Sequence, residues 1–327
     1  MPLRRSALAL RLIGLQGPNA DRLTRLEGRP KSFHPRSNRP SRQGAWDRFR
    51  RDFLSLAALC VLLLITGVSA AAPWIAQDIL HSDPDRFVRT ETGRIATLQP
   101  PASAYLLGTD DLGRDVLTRL IFAGRVSLSV GFGVALVSVA LGAPLGLLAA
   151  YFGGWVDDNV NALIQVVLNV PVLFVLIVLS IFLTPNVVQL ALIFGFFFWP
   201  STARQVRGVA LSVRQRDYVD AARVLGASHG RIMLHHVAPN VASVMLVVAG
   251  VDMASAILAE SSLSFLGFGV PVPLSSWGNM LSLSQEAFRT APWLVYPPGV
   301  MIFVTVLCVF LISDGLRDAL DPKTNSN

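Results

Sequence analysis

Six apolar runs alternate with polar segments along this chain, at about residues 53–72, 125–151, 163–183, 187–203, 241–260 and 293–313. Each is near the roughly 20 residues that a helix needs to cross a hydrocarbon layer about 30 Å thick. The pattern predicts an all-α membrane protein with six transmembrane helices inside one domain, 53–320. Pro73 closes the first run, and Thr184, Pro185 and Asn186 predict a tight turn between the third and fourth. The second run contains Gly142 and Gly146, a four-residue spacing that lets membrane helices pack closely. Trp46, Phe49 and Phe53 recur at helical spacing with Arg48, Arg50 and Arg51 between them, which predicts a short interfacial helix over 46–52. Residues 1–45 carry Arg, Pro, Ser and Gly without sustained periodicity and are expected to form a disordered basic tail. Residues 321–327 form a C-terminal tail.

Composition agrees with the pattern. Only 15% of residues are charged and mean hydropathy is +0.53, against about 25% charged in soluble domains. The net charge of +7 is unevenly placed, and this sets orientation. Arg204, Arg207, Arg214, Arg216, Arg223 and Arg231 lie between spans four and five, whereas the 261–292 loop holds only Arg289. The positive-inside rule therefore puts both termini and the 204–239 segment in the cytoplasm, with 74–124 and 261–292 outside. The same rule accounts for the basic tail without nucleic acid. Arg11 interrupts the apolar run after Arg4 and Arg5, which argues against a signal peptide. Cys60 and Cys308 both fall in apolar runs and read as small hydrophobes.

The 204–239 segment is long for a turn between two spans. It reads as two short helices. Asp217 caps the first, with Asp220 in its first turn, and Gly226 supplies the left-handed residue that ends it. Ser228 caps the second, which runs to about Val237 ahead of Pro239. A well-capped hairpin explains these residues without a partner. Ala221, Ala222 and Gly226 beside Asp220 and Arg223 also suit a surface that another backbone approaches closely.

The run Asp220-Ala-Ala-Arg-Val-Leu-Gly226, then nine residues, then His236-Val-Ala-Pro239, resembles the E-A-A-x-x-x-G-(nine)-I-x-L-P loop of ABC importer permeases. Asp replaces Glu at 220, His replaces Ile at 236 and Ala replaces Leu at 238. Two further segments resemble the C-type subunit of that family's dipeptide and oligopeptide branch. One runs from Leu107-Gly-Thr-Asp-Asp-Leu-Gly-Arg-Asp115 to Leu128; the other is Glu260-Ser-Ser-Leu-Ser-Phe-Leu-Gly-Phe-Gly269 followed by Trp277-Gly-Asn-Met-Leu281. The resemblance covers about 45–320. It implies a coupling helix between spans four and five, with Asp217, Asp220, Ala221, Ala222, Arg223, Gly226 and Pro239 as coupling residues. It implies four kinds of partner: a second homologous permease subunit, two ATPase subunits, an external solute-binding protein and a peptide substrate, all at a bacterial inner membrane. Nickel, glutathione or another small solute on the same scaffold is the alternative cargo.

Outside the cytoplasmic segment, Thr109 or Asp110 is expected to cap a helix starting near Asp111, with Arg114 and Asp115 as structural ions. The Asp110-Asp111-Leu-Gly113 run lacks the alternating ligands and closing Glu of a calcium loop. Asp252 lies deep in the fifth span and shares a small, polar face with Ser255, Ala259 and Ser262; Glu260 lies at its end. An ionisable residue inside a span points to a pathway, so Asp252, Ser255, Ala259 and Glu260 are expected to line the translocation path. The opposing reading pairs Asp252 with a partner subunit or the outer interface.

Catalysis in this chain is not expected. No phosphate-binding Gly-x-x-x-x-Gly-Lys-Ser/Thr loop occurs, and Lys31 and Lys323 are the only lysines. The five histidines lie outside the spans, and the adjacent His235 and His236 point to different helix faces. Cofactors and metals are therefore not expected here, and ATP hydrolysis falls to partner subunits. A channel or ATP-independent carrier would show inverted repeats, and none is evident.

Overall fold

The computed structural model of the chain describes residues 45–90, 93–182 and 186–320. The expectations for the 1–45 tail (all but its last residue), the 321–327 tail and the turn at Thr184 and Pro185 lie outside the described residues. Among the described residues the regular elements are helices, joined on one side by a long loop with a few isolated β-bridges.

Helix α1 (Ala45–Phe49) stacks Trp46 on Phe49 at 5.9 Å and buries Phe49 against the last helix of the chain. Asp52 caps α2 (Phe53–Ala70) by accepting from Leu54 N at 3.2 Å. Pro73 does not stop the chain there. It occupies the first turn of a short continuation, Ala72–Trp74, where its missing N–H has no helical partner to lose. A wide turn, Ile75–Ile79, follows.

Helix α3 (Val116–Phe152) is one unbroken element of 37 residues. The expected outer helix and second span are therefore continuous. The expected cap moves too. Asp115 accepts from Thr118 N at 2.8 Å, while Thr109 and Asp110 bond to the loop that precedes the helix. At about 1.5 Å per residue α3 is roughly 55 Å long, so much of it stands clear of a hydrocarbon layer about 30 Å thick.

The third span is two helices, α4 (Gly154–Leu168) and α5 (Val172–Phe182), bent by 62°. Pro171 sits at the break, where it supplies no N–H and disfavours helical geometry at Val170. Helix α6 (Val187–Arg214) continues eleven residues past the expected end of span four. Then come α7 (Asp217–Val224), α8 (His229–Ile232), a π-turn (Met233–Val237) and α9 (Ala238–Phe265). The second short helix therefore does not stop before Pro239. It runs on through the π-turn into the fifth span, with Pro239 tolerated in the first turn of α9. Helices α10 (Trp277–Leu283) and α11 (Tyr296–Leu320) complete the chain.

Among the described residues five helical stretches are long and apolar enough to cross a membrane, and the bent pair makes a sixth. The most extensive helix contact is between α3 and α6. A Cβ on Gly142 would come within 2.6 Å of the Trp199 carbonyl oxygen, and one on Gly146 would run into the Ala203 backbone. The Gly142/Gly146 spacing thus brings two backbones together, as the sequence predicts.

Candidate functional site

The α6–α9 connection forms an elbow. Arg216 occupies the cap position of α7 without a side-chain bond, and Asp217 is the first helical residue. Asp217 and Asp220 therefore act as first-turn carboxylates beside the positive helix end; neither caps it. Gly226 ends the helix at φ +80°, with Gly226 N donating to Arg223 O and Ala227 N to Ala222 O. That bond pair is a Schellman closure, and the open space where a Cβ would sit shows that backbone conformation selects glycine here. Ser228 caps α8 as expected, accepting from Arg231 N.

One face of the elbow is buried. Val219, Ile232 and Val237 pack with Tyr151, Ala210 and Val213 at the ends of α3 and α6, and Ala222 and Ala227 lean on the same cluster. The other face is exposed: Asp217, Asp220, Ala221, Arg223, Gly226 and Pro239 all face solvent. Arg223 holds Asp220 at 2.8 Å on that surface. Val224 is 87% exposed and Leu225 86%, with Tyr218 beside them on the same helix. The sequence reading passed over these three. Their signal was apolar side chains at Val224, on the helix side opposite Val219 and Ala222, and at Tyr218 and Leu225 between the two.

Polar side chains tie the elbow to the bundle. His229 Nδ1 meets the Tyr151 hydroxyl at 2.8 Å. Arg214 donates to Ala150 O at 2.9 Å. Arg207 forms a bidentate pair with Asp157 at 2.5 and 2.6 Å, fixing α6 to α4 just ahead of the elbow. The bidentate geometry demands the planar guanidinium fork.

Asp252 and Glu260 are placed inside the bundle of this chain. Asp252, 4% exposed, accepts from Ser138 of α3 at 2.5 Å and from Thr202 of α6 at 2.7 Å. The two hydroxyl oxygens lie 2.6 Å apart, so three long helices meet at one polar knot. Glu260 is fully buried and accepts from Ser264 at 2.7 Å and Ser127 at 3.3 Å. Ser127 in turn accepts from Trp277 N at 3.2 Å, and the buried Trp277 indole donates to Leu120 O at 3.2 Å. Glu260 thus lies in the network that seats α10 against α3 and α9. Ser255 and Ala259 are half-buried, and Ser262 is exposed with its hydroxyl bonded to Leu258 O.

Arg114 and Arg119 anchor the opposite end. Arg114 Nε binds Asp110 at 2.7 Å; buried Arg119 reaches Asp110 at 3.7 Å and Asp85 at 3.6 Å. Among the described residues no group of three His, Cys, Asp or Glu side chains is arranged to hold a metal ion.

Membrane-length helices, close glycine packing and buried hydroxyl–carboxylate knots define a multi-pass membrane protein of the helix-bundle class. Comparison with known proteins agrees. A family model for the binding-protein-dependent transport system inner membrane component matches residues 142–326, and one for the N-terminal domain of oligopeptide transport permease C matches residues 42–101. The dipeptide transport system permease protein DppC of Haemophilus influenzae is 37% identical over 300 residues, spanning 90% of this chain and 98% of that protein. The oligopeptide transport system permease protein OppC of Escherichia coli K12 is 38% identical over 281 residues, spanning 86% and 91%. An inward-facing structure of the MetNI methionine ABC transporter shares the fold, with TM-score 0.53 at 15% identity over 63% of this chain and 97% of the compared one. The chain belongs to the ABC importer permease family, as a C-type transmembrane subunit of its dipeptide and oligopeptide branch.

Proposed function

We propose that this chain forms part of the path by which di- or oligopeptides enter the cell, and that separate ATPase subunits drive it through the α7 elbow. The observation that carries the cargo is end-to-end similarity to a dipeptide permease, 98% of whose length is matched. Nickel or glutathione on the same scaffold has no such support. The proposed assembly is this chain, a homologous permease subunit, two ATPase subunits and an external solute-binding protein at the bacterial inner membrane. The basic elbow and the basic N-terminal tail support a cytoplasmic position for both termini and for α7.

The coupling reading gives each face of the elbow a task. The exposed face, Asp217, Asp220, Ala221, Arg223 and Gly226 with Val224 and Leu225, enters a groove of the ATPase. Val219, Ala222, Ile232 and Val237 transmit rigid-body displacement to α3 and α6. Pro239 marks where the elbow becomes α9. On the path side, Ser255 and Ala259 are assigned to the wall, while Asp252 and Glu260 hold the helices that form it.

The test is ATP-dependent uptake of labelled dipeptide by proteoliposomes holding the full complex. An Asp220→Lys, Gly226→Trp double variant is expected to abolish uptake while the permease pair remains assembled. Uptake unaffected by that change overturns the coupling role. A complex that hydrolyses ATP in response to its binding protein but moves no peptide overturns the cargo.

A further inference from the structure

A cavity of about 440 Å³ opens at the end of the bundle opposite the elbow, within the volume range of small-molecule sites. Its walls come from four places in the chain: Pro84 and Asp85 of the outer loop, one face of α3, the start of α6 at Val187, and the 273–275 stretch. Phe122, Arg125 and Ser129 line it from α3, at the helical spacing that gives one face. Phe122, Val126, Val187, Pro273 and Leu274 make the surface largely apolar.

The lip of the cavity is fixed. Buried Arg119 donates to Pro84 O at 3.4 Å and pairs with Asp85 at 3.6 Å, and Asp110, itself bound by Arg114, holds Arg119 from behind. Asp85 therefore shares the Arg119 cation with Asp110. Arg125 is different. It is exposed, its guanidinium lies 6.0 Å from the Phe122 ring centroid, and among the described residues it joins no ion pair. It is the tenth residue of α3 and the first of the apolar run 125–151. The cavity thus combines apolar walls, serine hydroxyls from Ser129 and Ser275, the Asp85 carboxylate held by Arg119, and one guanidinium that joins no ion pair among the described residues. Ring contact at Phe122 orients the fork and leaves its N–H groups available for an anionic oxygen pair.

We infer that this cavity is an outer vestibule in which Arg125 receives the free carboxylate of an incoming short peptide. The inference rests on the peptide-import reading above and adds to it a substrate contact and the chemical group recognised. The carboxylate docks on the guanidinium, and side chains of the peptide lie along Phe122, Val126 and Leu274.

The test uses the assembled complex in nanodiscs, with Ser129→Cys as reporter and Cys60→Ser and Cys308→Ala removing native thiols. The rate of modification by a membrane-impermeant maleimide is measured with and without millimolar dialanine or its C-terminal amide. Dialanine is expected to slow labelling and the amide is not. Arg125→Gln is expected to weaken that protection roughly tenfold in peptide concentration, about one charge-assisted hydrogen bond, and Arg125→Lys to retain part of it. Equal protection by acid and amide overturns the inference, as does a reporter cysteine that the complex leaves unlabelled. Labelling that ignores peptide but falls when acidic phospholipid replaces phosphatidylcholine assigns Arg125 to lipid headgroups and also overturns it. Dipeptide uptake by the wild-type complex, measured alongside, separates the two readings. Uptake without protection removes only the vestibule, whereas no uptake removes the peptide cargo and the vestibule with it.

Discussion

Asp252 sits where α3, α6 and α9 meet, and both of its hydroxyl partners belong to other helices. A carboxylate in a span is costly unless its oxygens are engaged, and Ser138 and Thr202 engage one of them twice. Its position was readable in the sequence as an ionisable residue deep in an apolar run. Its partners were not, because Ser138 and Thr202 lie 114 and 50 residues away. Polar contacts between membrane helices contribute about 0.6 kcal/mol on average and about 1.7 kcal/mol at most. A double-mutant cycle of Asp252→Ala with Thr202→Val, followed by thermal unfolding of the solubilised complex, is expected to give a coupling energy near the upper end of that range. A coupling near zero removes the knot as a stabilising feature. Trp277 and Arg207 teach the same lesson. Both were plain in the sequence, yet only the fold puts the indole against Leu120 O and the guanidinium on Asp157.

Among the elements, α7 shows where local rules suffice. Gly226 and Ser228 carry the signals that end one helix and begin the next, and both operate as read. Asp217 does not cap, because Arg216 is the extended residue and the helix starts at Asp217, one residue earlier than a cap at 217 would require. Gly226→Ala meets no neighbouring atom, so its effect is conformational, about 1 kcal/mol for a left-handed non-glycine residue. Faster amide exchange confined to the 217–227 stretch is the expected outcome. Protection equal to wild type would mean that the Schellman closure does not depend on glycine. The long elements mislead the sequence reader in the other direction. Hydropathy marks where a helix is apolar, not where it ends. It therefore truncates α3 at its polar outer turns and α6 at its arginine-rich extension.

For the whole molecule, the two ends of the bundle have different characters. One carries a basic elbow with two large apolar side chains left in solvent; the other carries an ion-paired loop and a partly apolar cavity. Burying Val224 and Leu225 in an ATPase groove contributes about 1.5–3 kcal/mol each. Val224→Asp with Leu225→Asp is therefore expected to weaken retention of the ATPase on the immobilised permease pair by a factor of about 100 or more, while membrane insertion is unaffected. Unchanged retention would place the docking surface elsewhere.

The sequence by itself determined the number and approximate place of the membrane-length helices, the elbow and its terminating glycine, and the family. These depend on composition and on residues within a few positions of one another, where hydropathy, charge asymmetry and capping act. Only the tertiary structure decided that Asp252 and Glu260 face inward, that Pro171 bends one span and Pro239 begins another, and that Arg125 opens onto a cavity. Each of these depends on which distant segment packs alongside. In a bundle of apolar helices, hydrophobicity alone scarcely distinguishes one facing partner from another, so glycine contacts and buried polar pairs make that choice.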